Sequence, residues 1–447
     1  FKFPVAVGAL GGNKAIYFLG MDCKDVEEMD EKWKRALSQP VAPVLVPQGS
    51  CQEELHMGEE LRREGLGLDE FPVPISTPGF DNGPYTTCSH WITKDPDTGI
   101  QNIGNYRGQL KSSTRVGVFP SGLGQDIFLH WKKWQEKGKH APAALVIGAP
   151  PVVSYAAVQK VPYGLDEMAV AGALAGEPIP VVKCKTVDLV VPADSEIVIE
   201  GFLNTEWIEP EGPFGESHGY MHPRQLNPFM DITAITHRKD AIFVSWLSQL
   251  TPSESSCIRK IGYDRLMLVH LRDACRITSV LRVEMHEPLT NTYKLVIIQM
   301  RRPKEAEVWR ALHAACSLHP GVGKIVVAVD EDIDPANEAA VFWAMCYRMK
   351  PHRDVHIVPG MEKGHAPPFL YKDEFRGTDV VSYHLPADES AMLCNAIQKE
   401  PFPPVSLPKR EYMEQARAIW EELGLPKLKP EMPWYGYSLG QWDEELD

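Results

Sequence analysis

Apolar residues change their period along this chain, and those changes mark out its parts. Phe3 to Leu10 is a strand-length apolar run ending at Gly11-Gly12. Val26, Met29, Trp33 and Leu37 then recur at the spacing of one helix face. Val41 to Val46 reads as a short strand and Cys51 to Glu64 as a helix. Residues 1–75 therefore read as an α/β segment, and the Pro/Gly-rich run from Pro72 to Pro84 reads as a linker.

Strand signals dominate residues 76–280. Tyr85 to Lys94 alternates, Asp95-Pro96-Asp97-Thr98-Gly99 makes a turn, and Ile100 to Arg107 returns as a hairpin. Thr114 to Phe119 and Ala143 to Ile147 are further strands. Between them Ile127, Leu129, Trp131 and Trp134 predict a helix over Asp126 to Lys137. Asp166 to Ala175 predicts a helix of small residues. Ile179 to Cys184, Val187 to Val191 and Ile197 to Leu203 are β-rich, and Asp231 to His237 with Ala241 to Ser248 reads as a second hairpin. The pattern predicts a mainly β domain, a barrel with helical insertions. Across residues 281–400 strands and helices alternate: Tyr293 to Met300, Lys304 to Cys316, Lys324 to Asp330, Asn337 to Met349 and Val355 to Val358, an α/β domain. Residues 401–447 hold a Pro-rich linker and an amphipathic helix from Lys409 to Leu423. Tyr412, Ala416, Ile419, Trp420 and Leu423 share its apolar face, which suits a contact with a second subunit.

Composition narrows the function classes. At 447 residues the chain is long enough for two or three domains. A net charge of −14 argues against a nucleic-acid surface or an anionic membrane. No apolar run reaches membrane-spanning length, and no signal-peptide pattern is visible. The nine cysteines are scattered with no CxxC pair, which fits reduced thiols in a cytoplasmic enzyme.

The candidate chemistry centres on Glu211-Gly212-Pro213-Phe214-Gly215-Glu216. Gly and Pro keep this segment from forming a regular helix, so its two carboxylates can converge on one pocket. Paired carboxylates in unequal environments suit general acid/base work, whereas a surface turn with solvated acids is the plainer reading. Arg107 follows Asn102 on the returning strand of the first hairpin. There it either holds a substrate carboxylate or pairs at the rim, and spacing alone favours the rim. Glu167 opens a helix, as a dipole-favoured acid or a ligand for a hard cation. Asp330-Glu331-Asp332-Ile333-Asp334 is read as a solvated, helix-capping loop ahead of a magnesium site. Gly219 and Pro223 deny His218 and His222 the helical frame of a zinc pair. Gly8–Gly12 and Gly122–Gly124 match no dinucleotide fingerprint or P-loop, although Gly122 to Asp126 could offer backbone N–H groups to a phosphate.

These residues resemble the UbiD-type decarboxylases, which depend on prenylated FMN. The resemblance rests on Glu211 to Glu216 followed by His218-Gly219-Tyr220, on Ile235 to Ile242, and on the Asn-x-x-x-x-Arg strand from Asn102 to Arg107. Pro180 to Cys184, Val191-Pro192-Ala193 and Thr251 to Glu254 also match, and the likeness runs from about residue 1 to the end. It implies an α+β multidomain fold, with a flavin-binding split β-barrel flanked by α/β domains and a C-terminal helix that grips a partner subunit. It also implies more chain ahead of the point matching Phe1, so that residues 1–75 are a partial N-terminal domain. Arg107, Glu211 and Glu216 match the catalytic triad. Cofactor contacts are implied for Asn102, Ile103, Gly104, Asn105, Arg107, Gln125, Gln159 and Glu167. A divalent metal, usually manganese, is implied at Asn102, Asp126 and Glu167, with a potassium ion nearby. The chain reads Gln125-Asp126 where the family commonly has Gln-His, and Ala157-Val158-Gln159 where it has Ser-Ser-Met. The family's phosphate-holding lysine has no clear match around Ser382-Tyr383-His384.

The implied reaction is reversible, non-oxidative decarboxylation of an aromatic, heteroaromatic or α,β-unsaturated acid through a covalent prenylated-FMN adduct. Side chains alone offer no electron sink for the carbanion that CO₂ loss leaves. Arg107 is expected to orient the carboxylate, Glu216 to donate the proton, and Glu211 to hold Arg107. Burial and mutual repulsion raise the two glutamate pKa values while Arg107 lowers them. Alternatives are an aromatic acyl-CoA decarboxylase, a flavin-binding subunit of a multi-subunit aromatic carboxylase, or an oxidoreductase using ordinary FMN. Expected partners are a small aromatic acid and CO₂, a second copy of the chain as homodimer or higher oligomer, and a flavin prenyltransferase as cofactor supplier.

Overall fold

The computed structural model describes residues 1–120, 125–159, 161, 165–290, 293–319, 321–361 and 389–426. The chain forms two compact units. The first is built on Phe1–Gly262, and the second takes in residues 263–361 and 389–426.

The first unit is organised by a nine-stranded antiparallel sheet. Its order is Tyr85–Thr86, Gly108–Ser112, Arg115–Val118, Phe229–His237, Ile197–Leu203, Ala141–Ile147, Ser89–Lys94 and Gln101–Asn105; Glu54–Met57 also pairs with Phe229–His237. Two very short links join opposite ends of this order. Thr87-Cys88 connects the first strand to the seventh, and Tyr106-Arg107 connects the eighth to the second. A link of two residues spans at most about 11 Å. The sheet must therefore curl until its ends almost meet, giving a split barrel with Arg107 at the seam.

Both faces of this sheet are covered, which explains why its strands read as nearly continuous apolar runs. Along Ala141–Ile147, Ala144 and Val146 join one core with Tyr155, Val170 and Leu174 from the helices Pro151–Ala157 and Glu167–Ala175. Ala143, Leu145 and Ile147 join another with Trp91, Val116, Ile199, Met230 and the helix Asp126–Glu136. Truncating a side chain such as Leu145 to Ala costs about 2–5 kcal/mol.

Two sequence expectations change here. Ala241 to Ser248 does not form a hairpin with Asp231 to His237. Phe243–Ser245 instead pairs in parallel with Val5–Val7, because Phe229–His237 is already bonded on both edges. The predicted helix over Cys51 to Glu64 is the strand Glu54–Met57 between short 3₁₀ turns. Its pairing with Ala234 to His237 overrides local helix propensity.

The second unit is an α/β sheet in the order Val280–Met285, Leu295–Met300, Ile325–Asp330, Ser390–Asn395 and Val355–Pro359. Its three central strands are parallel, and Glu305–Ser317 supplies Val308, Ala311 and Leu312 to the core beside them. Arg410–Glu422 forms the terminal helix.

Candidate active site

Arg107 sits at the barrel seam and is 8% exposed, so its guanidinium needs partners. Its Nε and Nη2 donate to Glu211 Oε1 and Oε2 at 2.8 and 2.9 Å, a bidentate pair. Its Nη1 donates to Glu216 Oε1. The guanidinium carbon also lies 3.9 Å from the Phe119 ring centre and 4.9 Å from that of Phe214.

The two glutamates are positioned by two miniature ladders rather than a bare loop. Glu209–Glu211 pairs with Gln225–Asn227, and Phe214–Gly215 pairs with Met221–His222. Gly212 changes direction between them at φ +93°, where a side chain would be strained and would press on the Pro223 carbonyl oxygen at 3.1 Å. That bend brings two acids five residues apart onto one guanidinium.

Their surroundings differ. Glu211 is fully buried, and its Oε2 also accepts from Asn227 Nδ2 at 3.2 Å. The Tyr85 hydroxyl bonds Glu211 and accepts from the Gly212 N–H at 3.0 Å. Burial pushes the Glu211 pKa up, but Arg107 and these bonds outweigh it and hold the carboxyl below its ordinary range. Among the described residues, Arg107 is the one hydrogen-bond partner of the Glu216 side chain, which is 15% exposed. Burial raises the Glu216 pKa, and Glu211 adds to the rise against the pull of Arg107 and Arg259. One acid is thus held charged while the other tends to keep its proton.

A second constellation lies around Asn102. One terminal amide atom of Asn102 sits 2.8 Å from Asp126 Oδ2 and 3.1 Å from Glu167 Oε1. With nitrogen there, the amide donates to both carboxylates. With oxygen there, three oxygens face one another, an arrangement that a cation between them relieves. Oxygens on adjacent corners of an octahedron around a divalent ion lie about 3.0 Å apart, so the spacing fits such an ion. Burial pushes the Glu167 pKa to about 8, with Asp126 adding to the rise and the Ile103 N–H, 3.3 Å from Oε2, opposing it. The donor set is all oxygen, and Asp126 takes its place without strain in the first turn of its helix.

The other expected cofactor contacts lie close by in the chain. Ile103 is buried and gives its N–H to Glu167. A Cβ on Gly104 would strike the Tyr106 ring at 2.6 Å, so only glycine fits. Asn105 is occupied structurally, accepting from Ser89 N and donating to Thr87 O. Gln125 accepts from the Tyr106 hydroxyl at 3.4 Å. The buried Gln159 has an amide oxygen with no partner among the described residues, as expected of a group that meets a ligand.

Several sequence readings resolve differently. The N–H groups of Gly8, Leu10 and Gly11 bind the carboxylate of Glu254 at 2.8–3.1 Å, so that glycine run serves a carboxylate of its own chain. Asp330 and Asp332 are not a solvated loop: both are buried against Arg348. His222 is buried beside Arg107 and its pKa falls to about 4, keeping it neutral. Phe214, Trp246 and Thr251 are buried, while Leu247 and Leu250 are exposed. Gly122–Gly124, Pro162-Tyr163-Gly164 and Ser382-Tyr383-His384 lie outside the described residues. Sequence reasoning missed Tyr85, Phe119, Asn227 and Arg259 as neighbours of the triad. Tyr85 and Asn227 carry no local signal, because only strand pairing brings them to Glu211.

Comparison with known proteins bears on the family and the fold. Residues 44–249 match the 3-octaprenyl-4-hydroxybenzoate carboxy-lyase Rift-related domain, and residues 263–396 match the C-terminal domain of the same family. An uncharacterized protein of Archaeoglobus fulgidus is 34% identical over 374 residues, covering 80% of this chain and 76% of its own length. Another from Synechocystis, sll0936, is 32% identical over 382 residues, with 80% and 74% covered. An evolved dimeric form of the UbiD-class enzyme HmfF from Pelotomaculum thermopropionicum, solved in complex with prFMN, superposes with a TM-score of 0.77. It is 29% identical and is matched over 93% of this chain and 88% of its own. Vanillic acid decarboxylase of Sedimentibacter hydroxybenzoicus in its closed form gives 0.75 at 26% identity, over 95% and 88%. No described helix is long and apolar enough to cross a membrane. With the split barrel, the α/β unit and both family models accounted for, this chain belongs to the UbiD family and is a carboxy-lyase of that class.

Proposed function

We propose that this chain catalyses the reversible, non-oxidative decarboxylation of an aromatic, heteroaromatic or α,β-unsaturated carboxylic acid with prenylated FMN as cofactor. The observation that carries the reading is the unequal pair on Arg107: Glu211 bonded on both oxygens, and Glu216 on one. A guanidinium has five N–H donors. Glu211 and Glu216 engage three of them, which leaves two to receive and orient a substrate carboxylate. Burial of the site strengthens that contact.

When bound, prenylated FMN supplies the electrophilic centre that accepts the electron pair released as CO₂ leaves. Asn102, Asp126 and Glu167 would hold manganese or another divalent cation, whose charge offsets that of the cofactor phosphate. Glu216, whose pKa burial raises, is the acid of the pair suited to carry a proton and deliver it to the carbon that lost CO₂. Its carboxylate is then reprotonated from water through its exposed side; in the carboxylation direction it removes the proton instead. Glu211, held as carboxylate, keeps Arg107 charged and fixed.

The same reading extends to assembly. Tyr412 and Ile419 on the terminal helix, and Leu423 at its end, are each more than half exposed, an apolar face suited to a second copy of the chain. Light scattering of the full chain should give a dimer or larger, and a monomer would contradict this part.

Two measurements test the function together: mass spectrometry of the bound flavin, and CO₂ release from a panel of aromatic acids and an aromatic acyl-CoA. The expected result is a flavin heavier than FMN by the prenyl addition, with CO₂ released from at least one free acid. Unmodified FMN with no CO₂ from any panel member would overturn the proposal.

A further inference from the structure

Three residues far apart in sequence and outside both constellations above converge in the first unit: His56, Glu70 and His237. His56 lies on the strand Glu54–Met57 opposite Ile235, which makes it the diagonal cross-strand neighbour of His237. Glu70 ends the short turn Leu68–Glu70. The ligand atoms of the three lie within 4.8 Å of one another.

Their orientation is specific. Nε2 of His56 and Nε2 of His237 lie 3.7 and 3.8 Å from the same atom, Glu70 Oε2. These distances are beyond hydrogen-bond reach, so neither imidazole bonds the carboxylate. Glu70 Oε2 and His237 Nε2 are buried with no hydrogen-bond partner among the described residues, and their side chains are 6% and 1% exposed. The far sides of the two histidines differ. His237 Nδ1 lies 2.7 Å from the Arg238 carbonyl, and His56 Nδ1 lies 4.0 Å from a Glu60 carboxylate oxygen. The His237 contact places its proton on Nδ1 and leaves the Nε2 lone pair facing inward, the usual arrangement behind a metal-bound histidine, whereas His56 Nδ1 is buried with no hydrogen-bond partner among the described residues. Glu70 Oε1 is separately paired with Lys2 Nζ at 2.8 Å, which leaves Oε2 for another cation. Phe3 and Phe71 wall the cluster, 5.3 and 5.7 Å edge-on to the His237 ring.

We propose that His56 Nε2, His237 Nε2 and Glu70 Oε2 form a binding site for a zinc-type divalent metal. Two imidazoles and one carboxylate are a standard zinc donor set, and ligands around a tetrahedral zinc lie about 3.3 Å apart. Reaching that geometry takes a contraction of about 0.5 Å in the two histidine–glutamate spacings and of up to about 1.5 Å between the histidine ligand atoms, which lie within 4.8 Å of each other. The partly exposed His56 leaves a side from which water supplies the fourth ligand. The metal ties the Glu54–Met57 strand and the Leu68–Glu70 turn to the barrel strand Phe229–His237, so its role is to fasten the segment leading into the barrel. The site shares no residue with the oxygen cluster at Asn102 and stands or falls apart from the flavin reading.

The test uses the full chain carrying Glu167→Gln, which weakens metal binding at the oxygen cluster. The protein is stripped with chelator, reloaded with Zn²⁺, desalted and assayed for metal. About one zinc per chain is expected, with only nitrogen and oxygen neighbours and imidazole outer-shell scattering in its X-ray absorption spectrum. His56→Gln and His237→Gln should each weaken zinc binding by at least about tenfold and abolish the zinc-dependent rise in Tm. Sulfur in the first shell, zinc-free parent protein after reloading, or full zinc retention by His56→Gln would each overturn the proposal. His237 is buried in the barrel and its variant can fail to fold. The His56 variant, on a partly exposed strand, then decides.

Discussion

Arg107 and Arg348 each gather two carboxylates in a buried setting, one in each unit of the chain. At Arg348 the bonding is closed. Asp332 takes Nη1 and Nη2 at 2.7 Å each, while Asp330 accepts from Nη1 at 2.8 Å and from the Gln398 N–H at 2.7 Å. All three side chains are 6% exposed or less. At Arg107 the bonding is open. Glu211 is saturated like Asp332, but Glu216 has a single tie and a side that reaches solvent. One guanidinium and two carboxylates therefore make a structural clamp in one place and, in the proposed function, a proton-carrying site in the other. The difference lies in how many acceptor positions the neighbours leave unused, not in residue type.

The largest expected effects separate the two centres. Glu216→Gln keeps the shape but removes the titrating proton, so CO₂ release by the cofactor-loaded protein should fall about 10²–10⁴-fold with Tm almost unchanged. Asp332→Asn should do the reverse. It leaves Arg348 short of charge in a buried site, costing about 3–5 kcal/mol in urea denaturation, while each folded molecule keeps its turnover. Equal activity losses in the two variants would erase the distinction.

Next in size is the oxygen cluster. Asp126→Asn should weaken manganese binding by at least about tenfold in a calorimetric titration, since an amide oxygen carries no charge to offset the cation. Unchanged affinity would remove Asp126 from the ligand set. The pH dependence is subtler. Glu216 must be protonated to donate, and its pKa is raised, so kcat should persist above the ordinary carboxylate range and fall as pH climbs through the raised value. Glu211 has the opposite shift. The stability it contributes is present above its unfolded pKa, about 4.3, and is lost as pH falls through its lower folded value. The smallest effect is expected from Tyr85→Phe, which removes one bond to a charged carboxylate and costs about 1.5 kcal/mol of stability.

Much of the scaffold was legible because its signals are local. The helices Val26–Ser38, Asp126–Glu136 and Glu167–Ala175 announce themselves by apolar spacing or by a capping residue such as Asp25 or Asp166. Pro151–Ala157 was missed because it is buried nearly all round and shows no period. Glu254–Val269 was missed because buried serines interrupt its apolar face. The residues of the candidate site could be named from the sequence, but their geometry could not. Spacing alone placed Arg107 at a rim, and it is the two-residue seam that buries it. Asp330 and Asp332 looked solvated because Arg348, their partner, lies beyond an intervening helix, where no local pattern points back to them. The short bend at Gly212 gave the opposite case, since Gly and Pro between two acids showed that the carboxylates could meet.

The central claim is that one proton resides on Glu216 while Glu211 remains charged. Infrared difference spectra of the protein labelled with ¹³C-carboxyl glutamate, recorded across a pH titration, test it directly. The account predicts a neutral-carboxyl band that titrates above the usual glutamate range, disappears in Glu216→Gln and survives in Glu211→Gln. A band lost in Glu211→Gln and kept in Glu216→Gln, or no difference between parent and Glu216→Gln, would contradict it.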